Sequence, residues 1–259
     1  MQTVPSTEKS GNEHLLRIAA ELISTSNHAV VFTGAGISTH SGIPDFRSPD
    51  SGLWNQHDPF EVASIWAFSH HPETFFDWIR PLSITAEAAE PNKAHKAIAE
   101  LEKQGYVKSV ITQNIDGLHQ KSGSKKVLEL HGSARTATCS HCGKKHEQDY
   151  FKRIIIRENG IPQCVNCGKT IKPDVVLFGE ALPREVWNEA YHECLLTDLI
   201  IVVGSSLEVT PANTLPDMAK RNGAKLIINN LGPTHLDSRA DLLLKMDVVE
   251  GIGILAEFL

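Results

Sequence analysis

Apolar positions recur along this chain with two different periods. Over residues 13–26, Leu15, Ile18, Ala19, Leu22 and Ile23 fall on one face of a helix, with Asn12 placed as its N-cap. The spacing then changes at Ala29-Val30-Val31-Phe32-Thr33, a short unbroken apolar run ended by Gly34-Ala35-Gly36. A strand buried on both faces needs such a run, because neither of its sides meets water. Further runs of this kind lie at 107–112, 127–130, 174–178, 198–203 and 225–229. Helical stretches separate several of them: 92–104, opened by Asn92 and closed by Gly105, then 183–195 with Pro183 at its start, and 211–221. Strands alternating with helices predict an α/β fold in which a parallel sheet is covered on both faces.

Two stretches break the alternation. Residues 48–80 hold Trp54, Trp66 and Trp78 without a strand pattern and read as a helical insertion. Residues 132–173 hold four of the five cysteines and eight Lys or Arg against three Asp or Glu, a net charge of +5. The two insertions are expected to form one small domain beside the sheet. There is no internal repeat and no low-complexity segment.

Composition narrows the function classes. The 259 residues carry 31 Asp or Glu against 25 Lys or Arg, so the basic module sits in a chain of net charge −6. That balance disfavours a nucleic-acid binder, since an acidic body repels phosphate. It leaves −11 outside the module, which suits a partner presenting lysine-rich segments. The length excludes a small disulfide scaffold. No run approaches the ~20 apolar residues that would span a membrane. Residues 1–11 are expected to be flexible, and they lack the basic start and apolar stretch of a signal peptide, so a cytoplasmic location is expected.

The cysteines carry the most specific local chemistry. Cys139 and Cys142 form one x2 pair and Cys164 and Cys167 another, each followed by a glycine, Gly143 or Gly168. In a reducing compartment this spacing predicts a tetrahedral zinc site, and four thiolates leave no open position for water, so the metal is structural. The basic residues around it allow a nucleic-acid or protein-binding knuckle, or they serve only the solubility of a small exposed module. Cys194 lies in an apolar helical stretch and reads as a buried spacer.

Three other segments cluster polar groups at strand ends. Gly34-Ala35-Gly36-Ile37-Ser38-Thr39 follows the first strand and allows a tight turn with close backbone approach to a phosphate, or a glycine turn with no ligand. The dehydrogenase fingerprint would place a third glycine at Thr39, which disfavours a hydride-transfer enzyme but not a dinucleotide ligand. Gly42-Ile43-Pro44-Asp45-Phe46-Arg47 crowds a carboxylate, an aromatic ring and a guanidinium into one loop. Thr112-Gln113-Asn114-Ile115-Asp116-Gly117-Leu118-His119 and His131-Gly132 end two more strands, where the ligands of parallel α/β sheets bind.

In this order, and together with Lys172-Pro173-Asp174-Val175-Val176-Leu177-Phe178-Gly179-Glu180, Gly204-Ser205-Ser206-Leu207 and Asn230-Leu231-Gly232, these segments resemble the Sir2 (sirtuin) family of NAD-dependent protein-lysine deacylases, of bacterial type. The likeness runs from about residue 15 to 258. It implies a Rossmann-like NAD-binding domain from residues 12–47, 81–131 and 174–259, and a small domain from the helical insertion 48–80 and a zinc ribbon at 132–173. It further implies that Ala35, Ser38, Thr39, Phe46 and Arg47 line the diphosphate, ribose and nicotinamide side of an NAD site. Gly204, Ser205, Ser206, Asn230, Leu231, Gly232 and Val248 would line the adenosine side.

The same resemblance implies the chemistry. NAD is consumed: the acyl oxygen of an acyl-lysine attacks the nicotinamide ribose, nicotinamide leaves, and His131 as general base activates a ribose hydroxyl against the resulting imidate. Asn114 and Asp116 would hold the ribose and the nicotinamide amide, with Gln113 and Ile115 beside them. The products would be free lysine, nicotinamide and acyl-ADP-ribose. Val175, Val176, Phe178 and Gly179 would receive the substrate peptide as an added strand. Relatives that remove succinyl groups carry a Tyr-x-x-Arg pair in the insertion, whereas the counterpart here reads Phe75-Phe76-Asp77-Trp78-Ile79-Arg80. An apolar tunnel with Phe76 and Ile79 is expected to favour acetyl or longer fatty acyl groups. Protein mono-ADP-ribosyl transfer from the same NAD site is the alternative activity.

Overall fold

The structure is a computed structural model that describes residues 6–48 and 52–259. Helix α1 (Ser6–Thr25), strand β1 (Ala29–Thr33) and a 3-10 helix (Ala35–Ser41) open it. The insertion follows as α2 (Pro59–Val62), α3 (Ile65–His70) and α4 (Pro72–Ala88). Next come α5 (Lys93–Lys103), β2 (Val107–Thr112), α6 (Leu118–Ser122) and β3 (Val127–Glu129). The ribbon contributes β4 (Gly132–Cys139), β5 (Lys145–His146), α7 (Gln148–Lys152) and β6 (Ile171–Val175). The chain closes with α8 (Arg184–Leu196), β7 (Leu199–Val203), α9 (Thr214–Arg221), β8 (Lys225–Asn229), β9 (Leu242–Leu244) and α10 (Ile252–Leu255).

Six strands form one sheet in the order β3-β2-β1-β7-β8-β9, with every pair parallel. Numbered within that sheet alone, the order is 3-2-1-4-5-6, the Rossmann arrangement. Its strands alternate between two cores. Val31, Ile201 and Val203 face Leu16, Ala19 and Ile23 of α1 and Ile98 and Leu101 of α5. Val30, Phe32, Ile200 and Val202 face Ala190 and Cys194 of α8 and Leu215 and Ala219 of α9. Both faces are dry, which is why the strands read as unbroken apolar runs. Each fully buried Val, Leu, Ile or Phe contributes roughly 1.5–3 kcal/mol relative to leaving it in water.

The helix boundaries set by capping chemistry agree with expectation. Asn92 Oδ1 accepts from Ala94 N at 2.9 Å and His95 N at 3.4 Å, and α8 starts directly after Pro183. Others differ. Helix α1 begins at Ser6, so Asn12 lies inside it rather than at its cap, and of residues 1–11, expected to be flexible, 6–11 are helical while 1–5 lie outside the described residues. Once the apolar face of Leu16, Ala19 and Ile23 is docked, extending the helix costs little, and one Asn does not stop it. The third helical stretch starts at Thr214, not at residue 211.

The small domain packs α3, α4 and α7 against a three-stranded sheet, β5-β4-β6, around Phe68, Phe75, Phe76, Phe151, Ile155 and Ile171. Helix α4 runs to Ala88, past the expected boundary at 80, with Pro81 inside it. The expected strand 174–178 is not in the parallel sheet. Its first residues end β6, which pairs antiparallel with β4, and Phe178 makes a lone parallel bridge to Ser64 of the insertion. A short apolar run shows that a strand is buried, not which sheet buries it. The strand β9 and the antiparallel pairs β4-β5 and β4-β6 are additions that the pattern did not predict.

Candidate active site and metal centre

The sheet's winding reverses between β1 and β7, and the turns that leave these two strands cross in backbone contact. Gly34 N–H donates to Val203 O at 3.2 Å and Gly36 N–H to Gly204 O at 2.9 Å. A Cβ on Gly36 would stand 2.8 Å from Gly204 O, and one on Gly204, whose φ is +60°, 2.3 Å from Ile37 N. The facing loop itself therefore requires these glycines. Ala35 is half-buried, Ser38 is buried, and Thr39 is exposed with its hydroxyl turned back to Gly36 O at 3.0 Å.

The loop after β2 closes on this turn. Ser38 Oγ donates to Asp116 Oδ2 at 2.7 Å, and Asn114 Nδ2 reaches Gly34 O at 3.1 Å and Ser38 Oγ at 3.2 Å. Gln113 Nε2 donates to Ser205 Oγ at 2.8 Å and so ties the loops after β2 and β7 together. Burial raises the Asp116 carboxyl above the ordinary carboxylate range, against the pull of Leu118 N–H, the Ser38 hydroxyl and the Arg135 charge. Its other oxygen accepts from Leu118 N at 2.9 Å, so the carboxylate is locked at both ends. His131 follows β3, and its Nδ1 lies 3.0 Å from Gln113 O. Burial pulls the His131 pKa below its usual value, which the Gln113 carbonyl opposes. A neutral ring with its proton at Nδ1, held by that carbonyl, leaves Nε2 with its lone pair free.

An aromatic stack links the loop after the 3-10 helix to the insertion and to Phe178. Phe46 stacks on Trp54 at 5.0 Å, Trp54 on Trp78 at 5.8 Å, and the edge of Phe178 meets Trp54 at 6.0 Å. Asp45 turns back on its own loop. It accepts from Arg47 N, Ser48 N and the Ser48 hydroxyl and so shapes the loop. Arg47 is exposed and pairs with Glu208 at 2.8 Å. Phe178 N donates to Ala63 O and Phe178 O accepts from Ile65 N, both at 3.0 Å. Val176 N is bonded to His131 O at 2.8 Å, Val175 is buried in the small-domain core, and Gly179 is exposed. Phe76 is fully buried in that core beside Phe68, Phe75 and Phe151, so it does not wall a tunnel, and Ile79 is half-buried against the same cluster.

At the far end of the cleft, Ser205 is buried and Ser206 half-buried, while Leu231 is 68% exposed. Asn230 Nδ2 donates to Gly232 O at 2.9 Å, closing that turn. The side chain of Val248 packs into the core beneath α10, so only its backbone can face a ligand. Asn229, which the sequence reading passed over, is fully buried. It holds Leu244 O, Met246 O and Ile252 N and so fixes the end of β8.

The four cysteines converge. Their Sγ atoms lie within 4.8 Å of one another, with Cys139–Cys167 at 3.5 Å and Cys142–Cys164 at 3.6 Å. Zn–S bonds of ~2.3 Å in a tetrahedron put sulfurs about 3.8 Å apart, so these residues fit zinc. The two knuckles repeat one geometry: Gly143 N–H returns to Cys139 O and Gly168 N–H to Cys164 O, with φ of +69° and +71°. The Lys144 N–H and the Asn166 side chain push the Cys142 thiol down to about 6, while Cys167, against the pull of the Lys169 N–H, is pushed up to about 12 by burial and the neighbouring thiols, so the four sulfurs share their protons as one cluster. His146 Nε2 stands 3.3 Å from Cys164 Sγ. Cys194 lies apart in the sheet's core, where burial and the Glu193 charge push its thiol up to about 12.

A family model described as the Sir2 family matches residues 34–211, well over half of the chain. The chain belongs to the Sir2 family. Among curated Sir2 relatives, the NAD-dependent protein deacetylase 1 of Geobacillus kaustophilus is 46% identical over 222 residues, 86% of this chain and 89% of that one. The NAD-dependent protein deacylase 2 of Archaeoglobus fulgidus is 50% identical over 231 residues, 89% and 90% of the two chains. A solved complex of Sir2 with a p53 peptide and NAD+ superposes with a TM-score of 0.85 at 42% identity, covering 93% of this chain and 97% of that one. Of the Sir2 segments named from the sequence, those at 34–39, 112–119, 131–132 and 204–207 lie at the carboxyl ends of β1, β2, β3 and β7, that at 230–232 follows β8, and that at 172–180 belongs to β6 and the loop after it. Trp54 and Trp78 joined them only in the structure, since no sequence spacing links them to Phe46 and Phe178.

Proposed function

We propose that the chain removes acyl groups from protein lysines with NAD as co-substrate, and that His131 is the general base. One observation carries this reading: the His131 ring is held neutral by burial and anchored at Nδ1 by the carbonyl of Gln113, the residue next to Asn114 in the loop whose Asn114 and Asp116 bond Ser38. Membership of the Sir2 family, with NAD-dependent deacetylases and deacylases as relatives, supports it.

In this reading the crossed glycine turns and Ala35, Ser38 and Thr39 receive the diphosphate and ribose, and Arg47 exchanges Glu208 for phosphate charge. Asn114 and Asp116, with Gln113 and Ile115 beside them, take the nicotinamide ribose and amide. Gly204, Ser205, Ser206, Asn230, Leu231, Gly232 and the Val248 backbone take the adenosine. The insertion already uses both backbone groups of Phe178, so an added peptide strand pairs with the neighbouring residues of the 175–179 segment, of which Gly179 is exposed. The stack of Phe46, Trp54, Trp78 and Phe178 offers no cation to a carboxylate, which favours acetyl or longer fatty acyl groups over succinyl.

An acyl-peptide panel with NAD, read by mass spectrometry, tests this. Acetyl-lysine peptide should yield nicotinamide and acetyl-ADP-ribose. Faster cleavage of succinyl-lysine would overturn the acyl assignment. ADP-ribose found on protein, with no acyl transfer, would replace the activity by mono-ADP-ribosyl transfer.

A further inference from the structure

Behind the site lies a buried polar chain that the proposed chemistry does not use. Thr33 and Thr112 end β1 and β2 as register partners, and both are buried. Thr33 Oγ1 and Thr112 Oγ1 share a hydrogen bond of 2.8 Å, and Thr112 Oγ1 accepts the Asn114 N–H at 3.0 Å. His119, buried on α6, places Nε2 3.0 Å from Thr33 Oγ1. The proton between the two hydroxyls can sit on either oxygen, and because His119 Nδ1 has no partner, a ring proton on Nε2, facing Thr33, is the tautomer that leaves no buried N–H without an acceptor. Burial, aided by the neighbouring His95, holds the His119 pKa down to about 3, which keeps the ring neutral. His119 Nδ1 has no partner among the described residues, so the bond to Thr33 alone orients the ring's polar edge.

The far end of this chain is one peptide unit. The Asn114 N–H fixed by Thr112 and the Gln113 C=O that holds His131 Nδ1 are the two ends of the planar 113–114 peptide. Turning that plane moves both. We infer that His119 is a positioning residue: through Thr33, Thr112 and the 113–114 peptide, it sets the tautomer and orientation of His131. The inference rests on the reading of His131 as base.

The test uses Thr33→Val, which keeps the shape and breaks the relay, His119→Gln, which keeps a donor near Nε2, and His119→Phe, which removes it. Nitrogen NMR of the His131 ring in the full-length protein reads its tautomer without turnover. The wild type should show the proton on Nδ1. Thr33→Val and His119→Phe should mix the tautomers and lower kcat by about 2- to 13-fold, the net worth of one intramolecular hydrogen bond. KM for NAD should stay within about twofold, and His119→Gln should recover most of kcat. If His119→Phe fails to fold, Thr33→Val carries the test alone. An unchanged His131 tautomer and kcat in Thr33→Val would overturn the inference while a dead His131→Ala keeps the base assignment. A fully active His131→Ala would remove the base assignment itself.

Discussion

The six-stranded sheet and the ribbon both deliver loops to the site, but they hold them by different means. Strands β1 and β7 are buried between helices on both faces, and their neighbours are mostly Leu, Ile, Val and Ala. The ribbon sheet has one shared core, and two of its buried side chains, Cys139 and Cys164, are metal-ligand candidates. The large domain therefore carries its own cohesion, while the small domain draws part of its cohesion from the ion that its thiolates fit. The aromatic stack joins the two, with Phe46 on one side and Trp54, Trp78 and Phe178 on the other.

Removing the metal probes this contrast most strongly. Structural zinc sites supply on the order of 10 kcal/mol of folding free energy. Chelation, or Cys139→Ser, should abolish activity and make residues 132–173 sensitive to protease, while the parallel sheet keeps its circular dichroism. A chelated protein with full activity would deny the ribbon any dependence on metal. The next largest effect lies in the large domain, where His131→Ala should lower kcat by about 10²–10⁴-fold with NAD binding retained, as calorimetry would show. Third is Gly204→Ala. Its φ of +60° and the 2.3 Å approach to Ile37 N predict a loss of about 3 kcal/mol in urea unfolding, together with weaker NAD binding. An alanine there without cost would mean that the crossed turns are not tightly held.

These differences also explain what could be read from the sequence. Strands buried on both faces were legible because residues 29–32 and Leu199–Val203 admit no polar residue at alternate positions that would mark a wet face. The Asn92 cap and the two cysteine pairs were legible because each acts within a few residues of itself. What failed was long-range. The fate of 174–178 depends on β4, a partner some forty residues back, and on Ser64 in the insertion. The burial of Phe76 depends on Phe68 and Phe151, and the aromatic stack joins residues from three separate segments. Periodicity shows that such side chains are covered, and says nothing of what covers them.

The smallest effect separates the sheet's two ends. At the amino ends of its strands, opposite the site, buried Glu193 of α8 accepts from Ser109 Oγ at 2.8 Å, from Lys126 Nζ at 2.8 Å and from His28 Nε2 at 3.0 Å. Burial alone would raise this carboxyl. The bonds from Lys126, Ser109 and His28 outweigh it and hold the pKa at about 2. A carboxylate depressed in the folded state stabilises the fold above its unfolded pKa near 4.5, and that stability is lost as pH falls toward 2. Lys126 is partly exposed and screened by water, so the contribution is about 1–2 kcal/mol. Glu193→Gln should therefore lower Tm by roughly 2–8 °C at pH 7, with the gap to wild type closing between pH 4.5 and 2. At temperatures where both proteins are folded, kcat and KM should not change. A shift in either would show that the two ends of the sheet are coupled, and the site could no longer be treated as resting on a body that only supports it.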